Sequence, residues 1–261
     1  MIMRYFLELS YNGAPFHGWQ SQPNAISVQE KLETALSTLL RKQTAVTGAG
    51  RTDTGVHARQ MYAHFDFDYP FSDEKRIILS LNSMLGPDIA IYRLIPVQEN
   101  MHARFDATER TYKYLVNFTK NPFINKFSWY SSSKLDIELM NEAARYLLKT
   151  NDFTSFAKLH SDSKTNICDV REAVWNPAVE DNEAFNFLGD LDGGFVFTIR
   201  ADRFLRNMVR AIVGTLVEVG RKKIRVEDFI DIINSQNRCN AGTSMPAHAL
   251  FLWKVEYPFI S

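Results

Sequence analysis

Two hydrophobic periods alternate along the first hundred residues, and their order restricts the fold more than any other feature. Over residues 4–11, Tyr5, Leu7, Leu9 and Tyr11 share one side of an extended chain, the period of a half-buried strand. Ser27-Val28-Gln29-Glu30 has the form of a capping box and opens a helix whose apolar face carries Val28, Leu32, Ala35, Leu36 and Leu39. Strands are predicted over 44–47 and 62–67, a second helix over 73–84 and a further strand over 88–94. The order β-α-β-β-α-β is the split βαβ arrangement.

The second half repeats a related order without repeating the sequence. Residues 110–118 alternate sharply, with Tyr112, Tyr114, Val116 and Phe118 on one face, and 137–148 read as a helix with Met140, Ala144, Leu147 and Leu148 in register. Strands fit 170–176 and 195–201, helices fit 205–219 and 226–234, and a strand over 250–257 closes the chain. The expectation is an α+β protein of two lobes, 1–103 and 104–261, joined near 100–106, with mostly antiparallel sheets. A chain of 261 residues that is 45% apolar has the material for one large domain or two smaller ones.

Composition excludes several classes. No stretch approaches the roughly 20 apolar residues of a membrane span. The start, Met1-Ile2-Met3-Arg4-Tyr5, lacks a signal-peptide apolar region, so a cytoplasmic protein is expected. Cys168 and Cys239 are too few for a disulfide framework and match no zinc spacing. His57, His64, Asp66 and Asp68 do not have the spacing of a known metal site either, so no metal is expected. The 30 basic and 30 acidic residues cancel, which argues weakly against nucleic-acid binding. Arg200, Arg203, Arg206, Arg210, Arg221, Lys222, Lys223 and Arg225 nevertheless crowd into one stretch, and a local basic stripe can hold phosphates in a neutral protein. The run 221–225 reads equally well as a solvated helix end.

Gly48-Ala49-Gly50-Arg51-Thr52-Asp53-Thr54-Gly55-Val56-His57-Ala58 is the chemically suggestive segment. Its glycines make it a shaped loop after a short strand, presenting Asp53 beside Arg51. A dinucleotide fingerprint would place the third glycine two residues earlier, and a phosphate-binding loop would follow its last glycine with Lys-Ser or Lys-Thr rather than Val56-His57. A tight turn whose Asp53 bonds the local backbone competes evenly with a reactive carboxylate.

The same loop closely resembles the signature of the TruA-type tRNA pseudouridine synthases, and the likeness continues in order along nearly the whole chain. Tyr11-Asn12-Gly13, Phe16-His17-Gly18-Trp19-Gln20 and Ser27-Val28-Gln29-Glu30 are similar to blocks that precede the loop in that family. His102 to Ala107, leading to Arg110-Thr111-Tyr112-Lys113-Tyr114, is similar to the block that follows it. Asn151 to Phe156, Met208-Val209-Arg210 with Ile212-Val213-Gly214, and Ala241-Gly242 continue the series. Local departures are Asn12 for a frequent aspartate, Thr54 for alanine, Gln60 directly after Arg59, and Cys168 where an arginine is common.

The resemblance implies two RRM-like or ferredoxin-like lobes with an active-site cleft between them, a homodimer, and a tRNA substrate modified in the anticodon arm. It assigns Asp53 as the nucleophile, Arg210 as its guanidinium partner and Tyr112 as the aromatic that stacks on the target base. Arg51 and Arg110 are expected to bind substrate. Uridine isomerisation is redox-neutral and requires no coenzyme, and the target base must leave its stack around tRNA positions 38 to 40. Alternatives are a synthase with another RNA target, or a non-catalytic RRM-like module binding single-stranded RNA.

Overall fold

The computed structural model describes residues 2–159, 164–189, 191 and 193–260. Packing divides the chain into two compact units, Met1–Thr108 together with Leu252–Ser261, and Glu109–Phe251.

In the first unit, β1 (Met3–Tyr11), α1 (Val28–Leu40), β2 (Thr47–Gly48), β3 (His57–Phe67), α2 (Glu74–Leu85) and β4 (Ile89–Val97) follow the expected order. β1 lies between β4 and β3, antiparallel to both, and β2 pairs antiparallel with β3. β9 (Leu250–Glu256) also neighbours β3, and its residues from Leu252 onward belong to this unit. Tyr5, Leu7, Leu9 and Tyr11 are buried as the alternation requires. Phe6, of opposite parity, is buried too, because Tyr257 and Phe259 meet its ring edge-on at 5.4 and 5.8 Å. Ser27 caps α1 by accepting the Glu30 N–H at 3.2 Å.

The strand expected over 44–47 shrinks to Thr47–Gly48. The Thr44 N–H goes to the Ser37 hydroxyl at 2.9 Å and the Val46 N–H to the Glu33 carboxylate at 3.0 Å. Side chains of α1 thus take backbone donors that a ladder would need. The following strand is longer than expected and begins at His57.

The second unit holds β5 (Glu109–Asn117), β6 (Trp129–Tyr130), α3 (Ile137–Ala144), β7 (Val170–Pro177), α4 (Asn182–Leu188), β8 (Phe195–Ala201), α5 (Met208–Gly220) and α6 (Val226–Asn234). β8 pairs antiparallel with β5 and β7, and β6 runs parallel to the end of β5. The sheets are mostly antiparallel, in keeping with the α+β expectation. The helix predicted over 137–148 is α-helical only to Ala144 and tightens into a 3-10 turn over Arg145–Leu148, which leaves Leu148 exposed. Asn207, at φ 66°, delays the start of α5 to Met208.

β5 is buried on both faces, where the alternation suggested one. Lys113, between Tyr112 and Tyr114, lies in the interior and places its ammonium 2.7 Å from both Asp181 oxygens and 3.1 Å from Glu183. Asp181 also caps α4, an element that the sequence pattern did not reveal.

Candidate active site

The Asp53 loop is held by the chain segment that precedes α1. Trp19 donates its N–H to the Thr52 carbonyl at 3.3 Å, and Gly55 donates to Phe16 at 3.3 Å. Val56 donates to the Asp53 carbonyl at 3.1 Å, closing the turn. The Tyr11 hydroxyl and the Thr52 hydroxyl share a buried 2.8 Å hydrogen bond. Gly13 donates its N–H to His57 Nδ1 at 3.0 Å, and a β-carbon at Gly13 would strike the Val56 carbonyl oxygen. Gly55 sits at φ 78°, where a side chain would be strained. These contacts leave Asp53 half-buried and Arg51 exposed on a loop whose backbone is fixed from Gly48 to His57.

In the second unit, β5 carries Arg110 and Tyr112, and the first turn of α5 carries Arg210. Tyr112 is half-buried and meets Phe204 edge-on, with centroids 5.0 Å apart. Arg110 donates to the Asp202 carbonyl at 2.6 Å. Arg210 donates from Nε to the Met245 carbonyl at 2.6 Å, while the Met245 N–H returns to the Arg210 carbonyl at 3.1 Å. The neighbouring carbonyl, Pro246, accepts the Tyr114 hydroxyl at 3.1 Å. Burial pushes the Tyr114 phenol up, and the nearby Arg210 charge works against that shift. The strand and the helix therefore converge on one short segment, which orients the guanidinium.

That segment is packed against α5 without room for side chains. A β-carbon at Gly214 would strike the Thr243 carbonyl, and Gly242 donates to the Thr215 hydroxyl at 2.9 Å. Asn207 and Arg238 both donate to the Ser244 hydroxyl, at 2.6 and 3.0 Å. The support of Arg210 by Met245, and of Tyr112 by Phe204, was not legible in the sequence. Its trace there was the Ala241-Gly242 pair, whose purpose is this close approach.

Other candidates resolve differently. The Arg221 and Lys223 side chains pair with Glu218, Lys222 with Asp136 and Arg225 with Asp228. Arg200 pairs with Glu172 and Glu109. Much of the basic stripe is thus neutralised locally. His64 accepts the Ala103 N–H on Nδ1 at 3.1 Å, and Asp66 is paired with Arg4. Cys168 is buried, its thiol pushed up to about 12 by burial. Asn12 bonds Asp88 at 2.9 Å and accepts the Ala14 N–H at 3.2 Å, so this departure has a structural use. Among the described residues, no helix is long and apolar enough to cross a membrane.

An α+β chain with a carboxylate braced on a glycine-rich loop and an arginine braced on a helix terminus has the equipment of an enzyme. A family model described as tRNA pseudouridine synthase matches residues 143–258. "tRNA pseudouridine synthase A" of Bacteroides fragilis is 53% identical over 98% of this chain and 97% of its own length. The protein of the same name from Bacteroides thetaiotaomicron is 54% identical over 98% of this chain and 91% of its own. That of Thermoanaerobacter sp. is 38% identical over 95% and 97%. The chain belongs to the tRNA pseudouridine synthase A family.

Proposed function

We propose that this protein isomerises uridine to pseudouridine in the anticodon arm of tRNA, around positions 38 to 40, with Asp53 as the nucleophile. The observation that carries the activity is kinship with tRNA pseudouridine synthases over 98% of the chain. In the reaction the N1–C1′ bond of uridine breaks, the uracil turns, C5 joins C1′, C5 gives up its proton, and N1 takes one up, so that the product is an isomer of the substrate. No electrons are gained or lost overall, so the chemistry calls for no redox cofactor. Asp53 adds to the sugar or the base, or removes a proton on a glycal route.

In this reading each unit is an RRM-like lobe, a description favoured in the first by β4 and β3 flanking β1 and by β2 lying beside β3. The site takes Asp53 and Arg51 from the first lobe and Tyr112, Arg110 and Arg210 from the second, in a cleft between them. Arg210 pairs with Asp53 and orients its carboxylate. Tyr112 stacks on the flipped base, Arg51 occupies space the base leaves, and Arg110 steadies the substrate. Phosphate contacts offset the few kcal/mol of unstacking. The protein acts as a cytoplasmic homodimer.

The test is incubation with an unmodified tRNA transcript, followed by chemical mapping of pseudouridine. Asp53→Asn should retain tRNA binding and lose isomerisation. Product formation by this variant within about tenfold of the parent overturns the assignment. Arg210→Ala should lose more activity than Arg210→Lys, which keeps the charge without the planar fork. Equal activity of both arginine variants with the parent removes Arg210 from the site.

A further inference from the structure

The stretch that leaves the end of β5, passes through β6 and leads to α3 stands out by charge and exposure. Residues 118–135 contain Lys120, Lys126 and Lys134 and no acidic residue, in a chain whose charges cancel overall. All three lysines are exposed, and among the described residues no carboxylate pairs with them. That separates them from the 221–225 run, whose cations are paired on the spot. Phe123 lies between the first two lysines and is 89% exposed, and Tyr130 is 38% exposed. By leaving the Phe123 ring outside, the fold forgoes a large hydrophobic gain there.

The connection is nevertheless built rather than loose. Asn117, fully buried at its neck, donates from Nδ2 to the Thr119 carbonyl and accepts the Ser128 hydroxyl on Oδ1 at 3.0 Å. The Asn117 carbonyl accepts the Ser131 N–H at 2.9 Å. Ser128 also donates to the Ile124 carbonyl at 3.0 Å, and the Asn121 side chain accepts the Phe123 N–H at 3.0 Å. Asn117 therefore ties Thr119, Ser128 and Ser131 together, and an Asx turn shapes the backbone at the exposed phenylalanine. An exposed aromatic among unpaired cations, on a backbone tied in this way, suits a polyanion with flat faces.

We infer that residues 118–135 form a second RNA-contacting surface, in which Lys120, Lys126 and Lys134 engage phosphates and Phe123 stacks on an unpaired base, with Tyr130 beside them. The surface begins where β5 ends, about 17 Å along the strand from Tyr112 at 3.3 Å per residue. It therefore touches nucleotides other than the one that reacts. The inference rests on the reading of the protein as a tRNA-binding enzyme and adds a contact to it.

The experiment compares the parent, the triple variant Lys120→Gln/Lys126→Gln/Lys134→Gln, and Phe123→Ala. Binding of an unmodified tRNA transcript is measured by fluorescence anisotropy over a series of salt concentrations, alongside steady-state kinetics. Abolishing one phosphate interaction should lower the slope of log K against log salt by about 0.7–0.9, so the triple variant should lose about 2–3. Phe123→Ala should weaken binding about fivefold or more with the salt slope unchanged. Both should raise KM and leave kcat near the parent. Unchanged affinity and slope in the triple variant overturn the inference. A change of oligomeric state in Phe123→Ala by sedimentation, with tRNA affinity intact, also overturns it and marks a contact between copies. A parent that makes no pseudouridine, while the triple variant still loses tRNA affinity, defeats the enzymatic reading and leaves the surface standing.

Discussion

Tyr11 is the residue through which β1 reaches the aspartate loop. Its hydroxyl bonds that of Thr52, next in sequence to Asp53, and Tyr11→Phe removes this 2.8 Å contact while keeping the ring. A stability loss of about 1 kcal/mol is expected, the usual net worth of such a bond. On the proposed mechanism kcat should fall while tRNA affinity holds, because the loop is deprived of a positioning bond and the RNA of nothing. An unchanged kcat at the same stability loss would confine Tyr11 to a structural part. His64 offers a test by pH. Burial first, and then the Arg4 charge with His102, lowers its pKa from 6.5 to about 4, against the pull of Asp66 and Asp106. Its Nδ1 accepts the Ala103 N–H, a bond that protonation at that nitrogen destroys. Because the folded value lies below the unfolded one, the unfolded chain binds more protons between them. Stability is therefore full above about pH 6.5 and declines as pH falls toward 4. Urea unfolding across that window should show the decline, and His64→Asn should flatten it. Residue identity carried the candidate nucleophile, whereas the partners that aim it, Thr52 and Trp19 among them, came into view only in three dimensions.

At the scale of elements, local signals served best where neighbours did not compete for the backbone. The Ser27 cap and the bounds of β8 and α6 followed from sequence. β2 was shortened by Ser37 and Glu33, and the last turn of α3 was tightened, by bonds that no local propensity encodes. Lys113 is the sharpest case. A lysine within a strand reads as a solvent-facing residue, yet its side chain is 6% exposed and ion-paired to Asp181, 9% exposed. Asp181→Ala should leave an ammonium buried without its main counter-charge and remove the cap of α4. A loss of about 3–5 kcal/mol is expected in chemical denaturation, the range for breaking one member of a buried pair. A loss below about 1 kcal/mol would mean that Glu183 or solvent reaches the amine readily.

For the whole molecule, the decisive feature is that the last ten residues, Leu252–Ser261, pack with the first unit although the second unit lies between them in sequence. Trp253, Val255 and Tyr257 are buried there, Tyr257 donates to the Ala103 carbonyl, and Thr108 donates its N–H to Glu256 at 2.9 Å. A chain truncated after Phe251 should lose the cooperative folding of residues 1–108, detectable as rapid amide exchange in β1 and β3, while β8 and α5 stay protected. Equal protection in β1 and β3 would show that the first unit folds without its closing strand. The class of elements, nearly all their order and, through motifs spread over the chain, the family could be read from the residues alone. These are encoded in side-chain periods and in loop residues whose chemistry is local. Tertiary structure alone decided which backbone groups of residues 44–46 were claimed by α1, that Lys113 is interior, that Met245 and Pro246 anchor Arg210 and Tyr114, and where the C-terminal strand packs. Each depends on contacts between residues far apart in the chain, formed when burial removes water as the competing partner, and no period of two or 3.6 residues records them.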